Sequence, residues 1–439
     1  MEINSLKLAN IRAIEAAEFR FQAGFNLIVG ANGVGKSTVL DALRICLSRI
    51  LPLATDSRAK AMSFDISDIR NNFPFLDAEL SMTIGCEKFR FTRRQWRDVF
   101  AADNAEYLKK LRRKIMESER LRDRARSLLR ELEEPHGVSD SDTFAPSKSE
   151  LKNTAYAASV APNCVFFSTN RSVVSNSKVT KSRTAGGKSA AYAEALVSRP
   201  MHIAHFANWM RVQETLAEEQ NEAKRHLQVL RSAVTRFLPN YESLRPDDEK
   251  STRLMIKQGE NELDVGQLSE GERGVLTLVL DLARRLSQAN PSLDDPLREG
   301  HAIILIDEID LHLHPKWQRQ IVHKLTETFP LCQFIATTHS PQVIGEVPHE
   351  CIQIIAEDGE VYSPTYSFGV DSSRVLEEIM DADPRTSEVR ELLSRLSQVI
   401  GKEQFNQALG LIDQLAVRLG DDDPEVTRLR TLLEFMEGE

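Results

Sequence analysis

Nine residues near the start of the chain constrain it most. Gly30-Ala-Asn-Gly-Val-Gly-Lys-Ser-Thr38 fits GxxxxGK[ST]. Before it, Phe25 to Val29 is an apolar run that predicts a buried strand. After it, Ser37 to Ile50 carries Leu40, Leu43 and Leu47 at helical spacing, with Pro52 as the expected breaker. A glycine-rich loop between a strand and a helix lets backbone N–H groups curl around phosphate oxygens. The helix adds its positive N-terminal end. Gly30, Gly33 and Gly35 supply the turn, with Asn32 inside it and Thr38 completing the phosphate-binding set. Lys36 would reach the β- and γ-phosphates of ATP, and Ser37 would ligate Mg²⁺ through its hydroxyl.

A second pattern supplies the acids. Ile303-Ile-Leu-Ile-Asp-Glu308 reads as a buried strand that delivers two carboxylates to its C-terminal end. Asp307 would hold Mg²⁺, usually through water, and Glu308 would polarise an attacking water. A third pattern, Leu268-Ser-Glu-Gly-Glu-Arg273, puts Ser269 and the Gly271 backbone at a helix N-terminus, where both would donate to a γ-phosphate. The same residues spell S-x-x-E, a plain N-cap, and the two roles are compatible. His339, in Thr337-Thr-His-Ser340, follows another expected strand.

With these motifs the chain resembles the ABC-type ATPase superfamily. The resemblance implies that the Ser269 loop meets the phosphate held by an opposite subunit. It also implies a switch histidine at His339 and a D-loop residue at Asp310 that works across the interface. A homodimer through the ATPase heads follows, closed by ATP. The glutamine of the usual Q-loop is not evident, although Ser63–Asp68 lies where it is expected. A long insertion between two halves of the core resembles the Rad50, SMC and RecF-like branch, as does Asn10-Ile-Arg12. Asp307-Glu-Ile-Asp-Leu-His-Leu-His-Pro315 is similar to a variant of RecF-like and OLD-like ATPases. His312 and His314 read as D-loop supports rather than as metal ligands.

Pro315-Lys-Trp-Gln-Arg319, Gln333 to Pro341, Phe368 to Met380 and the helical tail resemble the ATPase of the Septu antiphage system, including its retron-associated form. That implies an ATPase that assembles and controls a separate HNH-type nuclease. A retron version would also hold a reverse transcriptase and its RNA–DNA product. Two competing readings are a RecF- or Rad50-like DNA-repair ATPase and an ATP-locked scaffold with little turnover. OLD nucleases carry a further nuclease domain, whereas 100 residues follow His339 here, so no intrinsic nuclease is expected.

The expected fold class is α/β, an ABC-type P-loop ATPase head. Its halves are 1–100 and 246–370, with a helical, basic insertion at 101–245 and an acidic helical module at 371–439. The net charge of −9 argues against uniform polyanion binding. Charge is nevertheless uneven. Lys109 to Arg130 holds ten bases against three acids, and Leu151 to Ala193 holds six bases and no acid. Although Arg171, after the apolar run Cys164 to Phe167, could be an internal ATP-site or inter-subunit contact instead, this 109–193 region would contact nucleic acid through phosphates. It is equally the charge of a solvated coiled-coil face or of a surface paired with the acidic tail, and the residues do not separate these. The tail holds sixteen acids against eight bases and would dock a partner or simply pack on itself. Five cysteines without a CxxC pair, no apolar run of membrane-spanning length and no secretory signal lead us to expect a reduced, cytoplasmic protein with no membrane association.

Overall fold

The computed structural model describes residues 1–97, 141–145, 147–157, 160–172, 187–198, 200, 202–247, 253–402 and 404–437. They form two compact units, Met1–Ser372 and Ser373–Glu439. The chain opens with an antiparallel hairpin, β1 (Glu2–Ile11) and β2 (Ile14–Arg20). Strand β3 (Phe25–Gly30) then enters the glycine-rich loop and helix α1 (Lys36–Ala54) leaves it. A second hairpin follows, β4 (Phe75–Ile84) and β5 (Glu87–Trp96), with β6 (Ser141–Ala145) on its edge. Helix α2 (Lys148–Ala157) precedes β7 (Asn163–Phe167). Helices α3 (Ile203–Leu216) and α4 (Asn221–Phe237) lead to β8 (Glu242–Pro246), β9 (Leu254–Gln258) and β10 (Asn261–Asp264). The second half runs α5 (Glu270–Ala289), β11 (Ala302–Ile306), α6 (Pro315–Thr328), β12 (Cys332–Thr337), β13 (Ile352–Ile355) and β14 (Val361–Tyr362).

These strands make three sheets. One is antiparallel, in the order β2-β1-β4-β5-β6. A small one is β10-β9-β8. The third, β14-β13-β3-β12-β11-β7, is parallel except for β14. Strands β11 and β12 are buried at every position. That explains why they read as continuous apolar runs: parallel strands are covered on both faces. Helix α1 packs against strands of both large sheets, so its Leu40, Leu43 and Leu47 are fully buried in their shared core. Gln333 stitches the sheets together. Its side chain accepts from Ile3 N at 2.7 Å and donates to Ile3 O at 2.8 Å and Gln22 O at 2.9 Å.

Two details depart from the sequence reading. Pro52 does not break α1 but sits inside its last turn, and the helix ends two residues later at Ala54. A proline there forfeits one hydrogen bond at an end where the helix is already stopping. The 101–245 segment is not wholly separate from the head. Strands β6 and β7 extend its two large sheets: β6 pairs with β5, and β7, apolar from Cys164 to Phe167, pairs in register with β11. Residues 104–134 of the helical, basic insertion lie outside the described residues.

The second unit holds α7 (Ser387–Ile400), α8 (Phe405–Leu419) and α9 (Pro424–Glu437). Val389, Leu392, Leu396, Ile412, Leu415, Val426, Leu429 and Leu433 form its core. Leu409 is exposed, whereas Leu411 is buried. Helix α8 packs against both α7 and α9, which turns its apolar face toward Ala408, Leu411 and Leu415. Gly401 has φ −64, so it continues the helix rather than taking the left-handed position expected after its end. Asp423 caps α9, accepting from Glu425 N at 2.9 Å. No helix among the described residues is long and apolar enough to cross a membrane.

The Gln333 bridge yields a stability test. Gln333→Leu removes the partners of three main-chain groups in a site that is 2% exposed. We expect a loss of roughly 3 kcal/mol, since each buried unpaired group costs about 1–3 kcal/mol and some relax. The urea midpoint should fall with an unchanged slope.

Candidate nucleotide-binding site

The glycine-rich loop has the shape its sequence requires. A Cβ on Gly30 would stand 2.7 Å from Ile355 O, so only glycine fits beside β13. Gly35 ends the loop at φ 113, in the left-handed region that favours glycine. It makes no side-chain cap on α1. The first N–H groups of that helix therefore keep no side-chain acceptor, which is the arrangement that holds phosphate oxygens. Asn32 and Gly33 are exposed on the loop, whereas Lys36 and Thr38 are buried at the helix start. The Lys36 ammonium donates to its own loop, to Gly30 O at 2.9 Å and Ala31 O at 2.8 Å. Burial pulls its pKa below the usual lysine value, while Asp307, Glu308 and Asp310 favour its charge.

Strand β11 delivers the acids as expected. Asp307 N donates to Phe167 O at 2.9 Å, prolonging the ladder with β7 by one residue. Its carboxylate oxygens lie 3.3 and 3.4 Å from Ser37 Oγ. Two oxygen ligands of one Mg²⁺, each at about 2.1 Å in octahedral geometry, stand roughly 3 Å apart. Ser37 and Asp307 therefore fit that cation. Next to them, Glu308 has φ 49, an uncommon backbone for a residue with a side chain.

Thr337 connects these two acids, and the sequence had offered it only as a neighbour of His339. Its hydroxyl donates to Asp307 Oδ1 at 2.7 Å and accepts from Glu308 N at 2.8 Å. Thr338 does the same service for Asp310, donating to Oδ1 at 2.6 Å. A threonine at the C-terminal end of a strand next to the acidic one was the available signal. His339 follows them, half-buried. Burial first, and then the Lys36 charge, push its pKa below the ordinary histidine value. A neutral imidazole at physiological pH keeps one N–H to donate.

The Ser269 loop is a complete capping box. Ser269 Oγ accepts from Glu272 N at 3.3 Å and donates to Glu272 Oε2 at 2.7 Å. Tyr241 OH also donates to Glu272, at 3.3 Å. The N-cap role is thus present, and the single Ser269 proton is engaged with Glu272. Gly271 lies against the chain after Asp310: a Cβ there would stand 2.5 Å from His312 O. His312 Nδ1 is 3.8 Å from Glu270 Oε2, and His314 Nδ1 accepts from Lys316 N at 3.3 Å to cap α6. Both histidines therefore have local roles around this loop.

The Ser63–Asp68 segment is tied to the turn between β1 and β2 and, through it, to α1. Asp68 binds Arg12 Nε at 2.8 Å, and Arg12 Nη1 reaches Asp41 on α1 at 2.9 Å. Ser168–Ser172, which follows β7, stands beside the end of β11. Its Arg171 lies within the basic 109–193 region, yet it is buried and donates to Asp307 O at 2.5 Å. Burial therefore removes Arg171 from any nucleic-acid surface. Lys109 to Arg130 lies outside the described residues.

One substitution tests the contact between the Ser269 and Asp310 loops. Gly271→Ala should push the α5 N-terminus away from the His312 carbonyl. We expect a melting temperature lower by about 2–3 °C, for a penalty on the order of 2 kcal/mol in a domain this large. Lys36-dependent nucleotide binding should persist, because the glycine-rich loop is untouched.

Comparison with known proteins agrees with this geometry. Residues 25–345 match the family described as "AAA domain, putative AbiEii toxin, Type IV TA system". The chain is 35% identical over 212 residues to the Retron Ec83 probable ATPase of Escherichia coli, covering 47% of this chain and 39% of that protein. It is 40% identical over 163 residues to the Retron Vc95 probable ATPase of Vibrio cholerae, covering 36% and 32%. It is 27% identical over 192 residues to Septu protein PtuA of Bacillus thuringiensis, covering 42% and 48%. The chain thus spans between a third and a half of the length of these curated relatives. The family match encloses every motif from the glycine-rich loop to His339, and the chain therefore belongs to this AAA-domain family.

Proposed function

We propose that this protein binds ATP between two of its heads, hydrolyses it through Glu308, and uses that cycle to control an HNH-type nuclease partner in antiphage defence. One observation supports hydrolysis most directly. Ser37, Asp307, Glu308 and Thr337 converge where β3, β11 and β12 end side by side. The C-terminal edge of a parallel sheet is where α/β folds hold ligands.

On this reading Lys36 transfers its ammonium from two loop carbonyls to the β- and γ-phosphates. Ser37 and Asp307 hold Mg²⁺, which when bound offsets phosphate charge. Glu308 orients and polarises the attacking water, and neutral His339 donates to the γ-phosphate. Ser269 and the Gly271 backbone of a second copy complete the site, so Ser269 must release Glu272 as the heads close. Asp310 works across the same interface.

Partner control is supported by the similarity to retron and Septu ATPases. Retron association would add a reverse transcriptase and its RNA–DNA product. Contact with nucleic acid through the basic 109–193 region, Arg171 excepted, belongs to the same proposal, as does a cytoplasmic location.

Two variants separate binding from chemistry. Lys36→Ala should abolish ATP binding in a calorimetric titration. Glu308→Gln should bind ATP normally and lose turnover by about 100-fold or more, the usual scale for a general base. Unchanged hydrolysis in Glu308→Gln would refute the base assignment. For the partner, tagged protein purified from its native host should bring down a small HNH protein. Recovery of DNA-repair proteins alone would shift the reading to a RecF-like ATPase.

A further inference from the structure

The glutamate read as the hydrolytic base stands on an unusual backbone, and the side chain that grips this backbone lies outside every motif. Glu308, at φ 49, has its N–H on Thr337 Oγ1 and its carbonyl on Leu311 N at 3.0 Å. Arg171 adds a fork. Its Nη1 donates to Asp307 O at 2.5 Å and its Nη2 donates to Glu308 O. Nη1 also donates to Ser168 O at 3.2 Å.

These contacts are specific to a guanidinium. The carbonyls of Asp307 and Glu308 belong to the two peptide planes on either side of the Glu308 Cα. Holding both planes fixes the direction in which the Glu308 side chain leaves the backbone. A planar fork with two parallel donors can do this, whereas an ammonium cannot present the same geometry. Arg171 is 6% exposed, and among the described residues it binds these three carbonyls and forms no ion pair. Its burial argues against a surface role. Desolvation lowers its pKa to about 10, with Asp307, Asp310 and Glu308 opposing the shift, so it stays charged at neutral pH.

We propose that Arg171 is a positioning residue for hydrolysis: it clamps the two peptide planes that flank Glu308 and so aims the carboxylate, without touching the nucleotide. The inference rests on Glu308 acting as the base. It is distinct from a direct ATP contact, and the two predict different kinetics. A nucleotide ligand would lose affinity on substitution. A clamp would lose turnover.

The test compares wild type, Glu308→Gln, Arg171→Lys and Arg171→Ala for melting temperature, ATP affinity and turnover. Wild-type turnover well above that of Glu308→Gln establishes the base. Both Arg171 variants should then bind ATP within about threefold of wild type and turn over at least tenfold more slowly, roughly, with KM little changed. Guanidinium ion added to Arg171→Ala should restore part of the turnover. Amide exchange at residues 309–311 should rise in Arg171→Lys while α5 stays protected. If Arg171→Ala does not fold, Arg171→Lys carries the comparison. Wild-type turnover in Arg171→Lys would overturn the proposal, and so would equal losses of affinity and turnover. If wild type and Glu308→Gln hydrolyse equally, the base assignment fails instead. The exchange measurement then decides Arg171 alone, and unchanged exchange at 309–311 sinks the clamp.

Discussion

Strands β3, β12, β11 and β7 end along one edge of a parallel sheet, and their register decides which side chains meet there. Ile306 pairs with both Ala336 and Phe167, and Thr337 pairs with Ile28. The next residues along these strands are Asp307, Ser168 and Val29, so the glycine-rich loop, the acids and Thr337 share one line. A shift of one residue in β12 would turn Thr337 to the opposite face of the sheet. Asp307 would then lose its hydroxyl partner and Glu308 N its acceptor. The packing of α1 between two sheets follows from the same ladder, since β3 can deliver the loop there only from the middle of the sheet.

Charge is balanced along that edge. Asp307, Glu308 and Asp310 stand within four residues and concentrate negative charge there. Lys36 and Arg171 oppose them, each buried, each with its charge disfavoured by desolvation and favoured by the three acids. The two cations are held differently. Lys36 rests on two loop carbonyls with a flexible stem that can move to a better acceptor. Arg171 is locked into the main chain. A mobile cation and a fixed one suit different tasks, reaching a ligand and holding a turn.

The Ser269 cap shows a local motif and a tertiary contact sharing residues. Glu272 satisfies Ser269 within the helix. Gly271 is needed for a separate reason, the approach of the His312 carbonyl. The start of α5 is thereby pressed against the loop that carries Asp310, so movement of either loop must displace the other.

The glycine-rich loop, the strand that ends in Asp307 and Glu308, and the helix that starts at Ser269 were legible because each is written in adjacent residues. Glycines permit the loop, apolar runs make the strands, and S-x-x-E caps the helix wherever these segments come to rest. Pro52 shows the complementary limit: local spacing does not say where a helix end is tolerated. Thr337 and Arg171 acquired their roles only from the fold. Each is a common residue in an ordinary segment until β12 and β7 flank β11. Strand order and register join residues more than a hundred positions apart, and no short-range pattern encodes them. The sequence by itself therefore determined the chemistry present at each strand end, and the tertiary structure decided which strand ends face one another.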